Sequence, residues 1–329
     1  MMQIIMKLIQ EYPLLWTFVK AVILGSFVLM CPLLLIWMER KVAGAIQSRV
    51  GPKHVGPHGL LQSVADALKL LMKESTVPTL ADKRIYFIAP YVAYLSTLLT
   101  FMVLPFSPTW VALDMDVAVL FVIGVSLFNA VAIMMAGWAS NNKFSLLGGL
   151  RAVAQLLAYE IPIALSVLCV VFYTGTMSLT EIVKQQHLHG WNVLQAPLAI
   201  ASLIYFISSL AEVNRTPFDL PEAESELVSG FNTEYSGMRF GLFFVAEFAN
   251  TFFVAAFAAA LFFGGWSGPY LPPIVWFFLK VFVLVFIHMW VRWTPPRLRI
   301  DQLLKFAWQF MVPLSLLNLL FAIMMVALR

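Results

Sequence analysis

The stretch that decides the fold is residues 85–113, IYFIAPYVAYLSTLLTFMVLPFSPTWVAL, which carries no charged residue. A helix that crosses a bilayer needs about 20 mostly apolar residues, and this run exceeds that. Working outward in both directions, runs of the same kind recur. Spans are expected near 14–38, 85–105, 117–139, 153–173, 193–211, 240–263, 271–291 and 307–328. The spacing predicts an all-α polytopic membrane bundle forming one integral membrane domain, 1–329. Composition agrees: of the 329 residues, 61% are apolar and 12% are charged, with a mean hydropathy of +0.87. A soluble domain carries about half apolar and about a quarter charged residues. That excludes an ordinary cytosolic enzyme, a disordered chain and a nucleic-acid binder. Pro32, Pro90, Pro162 and Pro197 fall inside or near span ends, which membrane helices tolerate. Lys7, Glu11 and Lys20 interrupt the start, so no cleavable leader is expected. Cys31 and Cys169 lie in different apolar runs, too few for an iron–sulfur cluster, a zinc site or a disulfide framework.

The net charge of +4 acquires meaning once the charges are placed. Loop 39–84 carries eight basic residues, 139–152 two, 212–239 two and 292–306 four, so these alternate loops hold sixteen of the twenty-one. By the positive-inside rule they face the cytoplasm. Both termini then face the other side, as an even number of spans requires.

The basic side carries the chemistry. Pro57 and Gly59 break the chain in loop 39–84. Beyond them, Leu60, Leu61, Val64, Ala65, Leu68, Leu71 and Met72 recur at helical spacing, with Gln62, Asp66, Lys69 and Lys73 opposite. Residues 60–74 are too short to span and read as an amphipathic helix in the membrane interface. Periodicity alone leaves open whether it merely lies on the membrane or roofs a cavity. Loop 212–239 is acidic, with Glu212, Asp219, Glu222, Glu224, Glu226 and Glu234 against Arg215 and Arg239. An acidic run is ordinarily a solvated loop, but this one is interleaved with Phe218, Leu220, Leu227 and Val228. Packed together, such acids repel and hold protons.

Two acids fall inside spans. Glu247 lies seven residues into 240–263, about 10 Å deep, with no basic residue near in sequence. Glu160 lies about two turns into 153–173, where it reads either as a helix-end acid or as a functional one. Intramembrane acids face water or the bundle interior. Other features are weaker. His187 and His189 suggest a surface loop, His288 a packed or hydrogen-bonded side chain, and Gly264-Gly265-Trp266 a turn. Sixteen Met and twenty-eight Phe fit lipid-facing and core positions and also suit a channel for an apolar ligand. The absence of an internal repeat weighs against a secondary transporter using Glu160 and Glu247.

Four stretches carry a resemblance: ERKVAGAIQSRVGPKHVGPHGLLQSVADALKLLMKE (39–74), GWASNNKFSLLGGLRAVAQLLAYE (137–160), AEVNRTPFDLPEAESELVSGFNTEYSGMRFGLFFVAEF (211–248) and RWTPPRLRIDQLLKFAWQFMVPL (292–314). Together they resemble the family of membrane subunits that form the quinone chamber of proton-translocating NADH:quinone oxidoreductase (respiratory complex I). The likeness runs end to end. It implies that this chain binds no redox cofactor and takes quinone as substrate, while FMN and iron–sulfur clusters reside in partner subunits. Those partners are peripheral-arm subunits on the cytoplasmic face and small and antiporter-like membrane subunits alongside. It implies a quinone chamber involving Glu39, Arg40, Ala65, Asp66, Lys69, Arg292, Arg297 and Asp301. It implies a proton path through Glu160, Glu212, Asp219, Glu222, Glu224, Glu226 and Glu247. The implied location is the inner (plasma) membrane of a bacterium rather than a mitochondrion. The related subunit of a membrane-bound hydrogenase is the alternative that the residues alone leave open.

Overall fold

A computed structural model describes residues 13–220 and 228–328. The described residues form helices joined by turns and loops. In chain order they are α1 (Pro13–Ile46), α2 (Gln62–Met72), α3 (Lys83–Met102), α4 (Ala118–Ala139), α5 (Lys143–Thr174), α6 (Leu179–His189), α7 (Ala196–Glu212), α8 (Gly237–Phe262), α9 (Pro273–Arg292) and α10 (Ile300–Ala327). Seven of them are long and apolar enough to cross a membrane. The eighth expected span, α7, is apolar but has only 17 residues, about 25 Å of helix. This is a polytopic helical bundle.

Several boundaries differ from the hydropathy reading, for one reason. Hydropathy ends a span where charge begins, whereas a helix ends where its backbone hydrogen bonds end. Thus α1 continues through Glu39, Arg40 and Lys41 to Ile46, and these residues are helical rather than the start of a loop. Similarly, α5 begins at Lys143, where the Asn142 side chain accepts from Phe144 N (2.9 Å), a strong N-cap. Glu160 therefore sits near the middle of α5, and the helix-end reading of that acid is corrected. The segment 179–189, expected as a loop, is helix α6, capped by Ser178 and carrying His187 and His189 in its last turn. At the other end of the molecule α10 starts at Ile300 and contains a π-helical turn, Phe306–Met311.

Consecutive spanning helices run up and down, so their ends gather into two sets. At one end, called near here, Asp82 N donates to Ala139 O (3.0 Å). At the far end, Lys20 Nζ donates to Val111 O (2.8 Å) across 91 residues. The core is built around α8, whose stretch Phe248–Phe262 is buried almost throughout. Ala255, Ala256, Ala259 and Ala260 allow close approach of neighbouring helices, as small residues do between membrane helices. The far end of α8 is tied down by three side chains. Gln186 Nε2 donates to Ala260 O (2.7 Å), Asn192 Nδ2 to Leu261 O (2.8 Å), and Lys280 Nζ to the carbonyls of Phe263, Gly265 and Ser267 (2.7, 3.0 and 2.7 Å). These bonds satisfy carbonyls that a helix end leaves open. His288 is buried as expected, between Ser209 Oγ (3.2 Å) and Leu284 O (2.9 Å).

At the near end α2 lies against α1 and α8. Its inner side presents Ser63, Asp66, Ala67 and Leu70. Its apolar residues Leu61, Val64, Leu68, Leu71 and Met72 are exposed, Met72 at 87%. A helix on a soluble protein would bury that face; here it is turned outward, the arrangement of a helix seated in lipid.

Candidate functional site

Charge enters the interior where α7 stops. The stop is encoded in Ala211-Glu212-Val213-Asn214-Arg215. Asn214 adopts the left-handed conformation (φ 51°), which asparagine tolerates better than most residues. Its N–H donates to Ala211 O (3.2 Å), and the Arg215 N–H donates to Leu210 O (3.1 Å). These two bonds form a Schellman motif. The motif aims two side chains. Glu212 stays in the last helical turn, where the helix dipole disfavours a carboxylate. Arg215 folds back into the bundle.

Arg215 is 3% exposed. Its Nη1 donates to both oxygens of Glu39 (3.2 and 3.4 Å). Its Nη2 lies 3.3 Å from Glu247 Oε1 and 3.5 Å from Thr251 Oγ1. The guanidinium rests over the Phe248 ring, 4.2 Å from its centroid. Glu39 is also bonded by Arg292. Two carboxylates and two guanidiniums, from α1, the turn after α7, α8 and α9, thus form a neutral quartet. Buried charge is sustainable only when paired in this way.

On one side of the quartet lies a polar cavity of about 30 Å³. Glu212, Glu247, Asn129, Asn214 and Asn250 line it, and Ile133, Phe231 and Phe243 complete the wall. That is enough room for a water molecule with polar partners. Glu160 of α5 accepts a hydrogen bond from Ser126 Oγ of α4 (2.6 Å).

On the other side, Arg40 follows Glu39 on α1 and pairs with Asp66 of α2 (2.6 Å). Gln62 Nε2 also donates to Asp66 (3.0 Å). This pair and Ser63 border a cleft of about 100 Å³ between α1, α2 and α8, otherwise apolar through residues such as Leu33, Ile36, Leu70, Phe244 and Val245.

The expected acids are therefore not one cluster. Glu212 and Glu247 share the cavity, while Glu160 is bonded to Ser126. Asp219 pairs instead with Arg297 (2.9 Å). Glu234 bonds Asn142 Nδ2 (2.6 Å), away from the quartet. Asp301 pairs with Arg299 at an exposed position (3.2 Å). Ala65 and Lys69 are exposed on α2. Glu222, Glu224 and Glu226 lie outside the described residues. The residue that sequence reasoning undervalued is Arg215. Its signal was present: it is one of two bases in an acid-rich segment, next to a span end. Asn129 and Asn250 were detectable as amides inside apolar spans.

The fold and the site define a class, that of polytopic membrane subunits with paired charge in their interior. Comparison with known proteins narrows it. The NADH dehydrogenase family profile matches residues 19–323. The H subunit of NADH-quinone oxidoreductase from Dehalococcoides mccartyi (strain ATCC BAA-2266 / KCTC 15142 / 195) is 48% identical over 301 residues, covering 92% of this chain and 84% of that protein. That of Phocaeicola vulgatus is 44% identical over 330 residues, covering 94% and 92%. An H subunit of the same enzyme from Koribacter versatilis is 42% identical over 347 residues, covering 96% and 98%. The chain belongs to the NADH dehydrogenase family, in the branch formed by the H subunits of NADH-quinone oxidoreductase.

Proposed function

We propose that this chain is the membrane subunit of an NADH-quinone oxidoreductase that admits quinone from the bilayer and passes the charge change of its reduction inward. The observation that carries the reading is Arg215. It touches Glu39, next to the Arg40–Asp66 cleft, and Glu247, on the polar cavity. A disturbance at the cleft reaches Glu39 through its helix neighbour Arg40, and from Glu39 the ion pairs run through Arg215 to Glu247 inside the bundle. The cleft suits a quinone, with apolar walls for the tail and few polar groups for the head. Reduction to quinol consumes two electrons and two protons. The electrons come from FMN and iron–sulfur clusters in partner subunits, and titratable groups near the head supply or relay the protons. Glu247, Glu212 and Glu160 follow as the inner path, and Asp219, Glu222, Glu224 and Glu226 are assigned to the same proton path. Because such acids interact, they titrate together rather than singly.

The sixteen-to-five bias of basic residues supports a cytoplasmic near end, where peripheral-arm subunits dock on a basic surface. Small and antiporter-like membrane subunits flank the bundle. The relatives named above come from bacteria, which supports the bacterial inner membrane as the location.

A photoreactive quinone with an isoprenoid tail tests the portal. It should label α2 or α8 around Leu70 and Phe244, with excess native quinone competing. In parallel, Asp66→Asn should lower quinone reduction several-fold while electron transfer from NADH to a hydrophilic acceptor continues. The pair it breaks is half-exposed and contributes at most about 1 kcal/mol to stability, so assembly should survive. Labelling confined to other helices, or an Asp66→Asn complex that turns over like wild type, sinks the portal.

A further inference from the structure

The geometry points to Gln155 as the positioning residue that holds Arg215 and Glu212 in place; this rests on the function proposed above. Gln155 lies on α5 and is wholly buried. Its Nε2 donates to Ala211 O (2.8 Å) and Phe218 O (2.7 Å) and lies 3.2 Å from Asn214 Oδ1. All three partners are oxygens, so the amide has only one sensible orientation, with its NH₂ toward the turn. The three acceptors bracket the segment 211–218 at its beginning, middle and end. Arg215 lies inside that bracket.

The first of these bonds adds to one the turn already makes. Ala211 O accepts the Asn214 N–H of the Schellman stop. Gln155 gives that carbonyl a second donor and ties the stop to a neighbouring helix. Phe218 O has its bond from Gln155 at the point where the chain leaves the turn. One side chain on α5 thus fixes both ends of the peptide that carries the quartet's central cation. Meanwhile Gln155 Oε1 is buried with no hydrogen-bond partner among the described residues. An unsatisfied buried oxygen is destabilising. Gln155 lines neither the cleft nor the polar cavity, so it acts through the turn.

The test uses the whole complex in membranes. Gln155→Met keeps the shape and removes the donors. Quinone reduction and proton pumping should fall about tenfold, the loss expected when about 1.4 kcal/mol of positioning disappears. The KM for a short-chain quinone should stay within about twofold, since only turnover depends on the turn. NADH oxidation by a hydrophilic acceptor should be retained. A double-mutant cycle separates positioning from packing. If Gln155 acts through Arg215, Gln155→Met adds nothing to Arg215→Met; losses that multiply overturn the inference. Wild-type rates in Gln155→Met overturn it too, as does a lower rate that comes wholly from KM. If Gln155→Met does not assemble, Gln155→Asn, which withdraws the amide by one methylene, is measured in its place. Failure of both to assemble makes the residue a folding residue and overturns the inference. Failure of the underlying function would look different: membranes lacking this chain would still reduce quinone at the wild-type rate.

Discussion

At position 215 arginine and lysine are not interchangeable. Two different guanidinium nitrogens serve two different carboxylates, Nη1 on Glu39 and Nη2 on Glu247. An ammonium is a single point of charge and cannot span both. Arg215→Lys should therefore keep at most one of these contacts and break the bridge between Glu39, which still has Arg292, and Glu247. The expected result is an assembled complex whose quinone reductase activity falls at least about tenfold, beside unchanged NADH oxidation by a hydrophilic acceptor. Wild-type turnover in that variant would show the bridge to be dispensable. Most carboxylates of the site were legible in the sequence, because an acid inside an apolar run has few reasons to be there. Their partners were not. Arg215 is 176 residues from Glu39, and Arg292 is 253 residues from it. Spacing arguments do not reach that far. The dispersal of Asp219 to Arg297 was hidden for the same reason.

Among the elements, α5 shows how a single missing side chain sets a contact. A Cβ on Gly148 would meet Gly230 Cα at 2.7 Å and Phe231 N at 2.9 Å. These are backbone atoms of the turn Gly230–Asn232 and cannot rotate away. Gly148→Ala should force α5 off that turn, at about 1–3 kcal/mol, the usual penalty of overpacking. Gly124 on α4 is the control, because nothing lies within 4 Å of its would-be Cβ. Gly124→Ala should be neutral, or stabilising by up to about 1 kcal/mol through helix propensity. The check is the temperature at which membranes lose quinone reductase activity; equal midpoints for the two variants would refute the packing argument. Element identity was legible wherever a run was long and apolar. Ends were misjudged at α1 and α5, where charged residues remain helical, and α6 was missed because its mixed polarity resembles a loop. For α2 the period was right, but periodicity does not say which face meets protein. Its apolar side faces outward, and its Asp66 side faces the cleft.

Over the whole molecule, alternation of the helices places the loop containing Thr79 at the near end and the turn containing Gly268 at the far end. We expect reporters inserted at Thr79 and Gly268 to register opposite sides of the membrane, with Thr79 cytoplasmic. Reporters on the same side would contradict the bundle's alternation. Cytoplasmic activity from Gly268 alone would invert the orientation drawn from the basic residues. The helical bundle was the most legible level of all, since long apolar runs survive any error at a helix end.

The quartet also sets a timetable for biogenesis. Glu39 leaves the ribosome with α1, but Arg215 follows 176 residues later and Arg292 after 253. At cellular synthesis rates those intervals are on the order of ten to fifty seconds. Until Arg215 arrives, Glu39 belongs to a helix already delivered to the bilayer and has neither of its final counterions. Its place just before Arg40 and Lys41, within two turns of the helix end at Ile46, keeps it beside water and basic neighbours until the later segments arrive. Closure of the ionic cluster is therefore a late event in the life of the chain. A nascent polypeptide truncated between α8 and α9 would be held in the membrane with its central carboxylate only half neutralised.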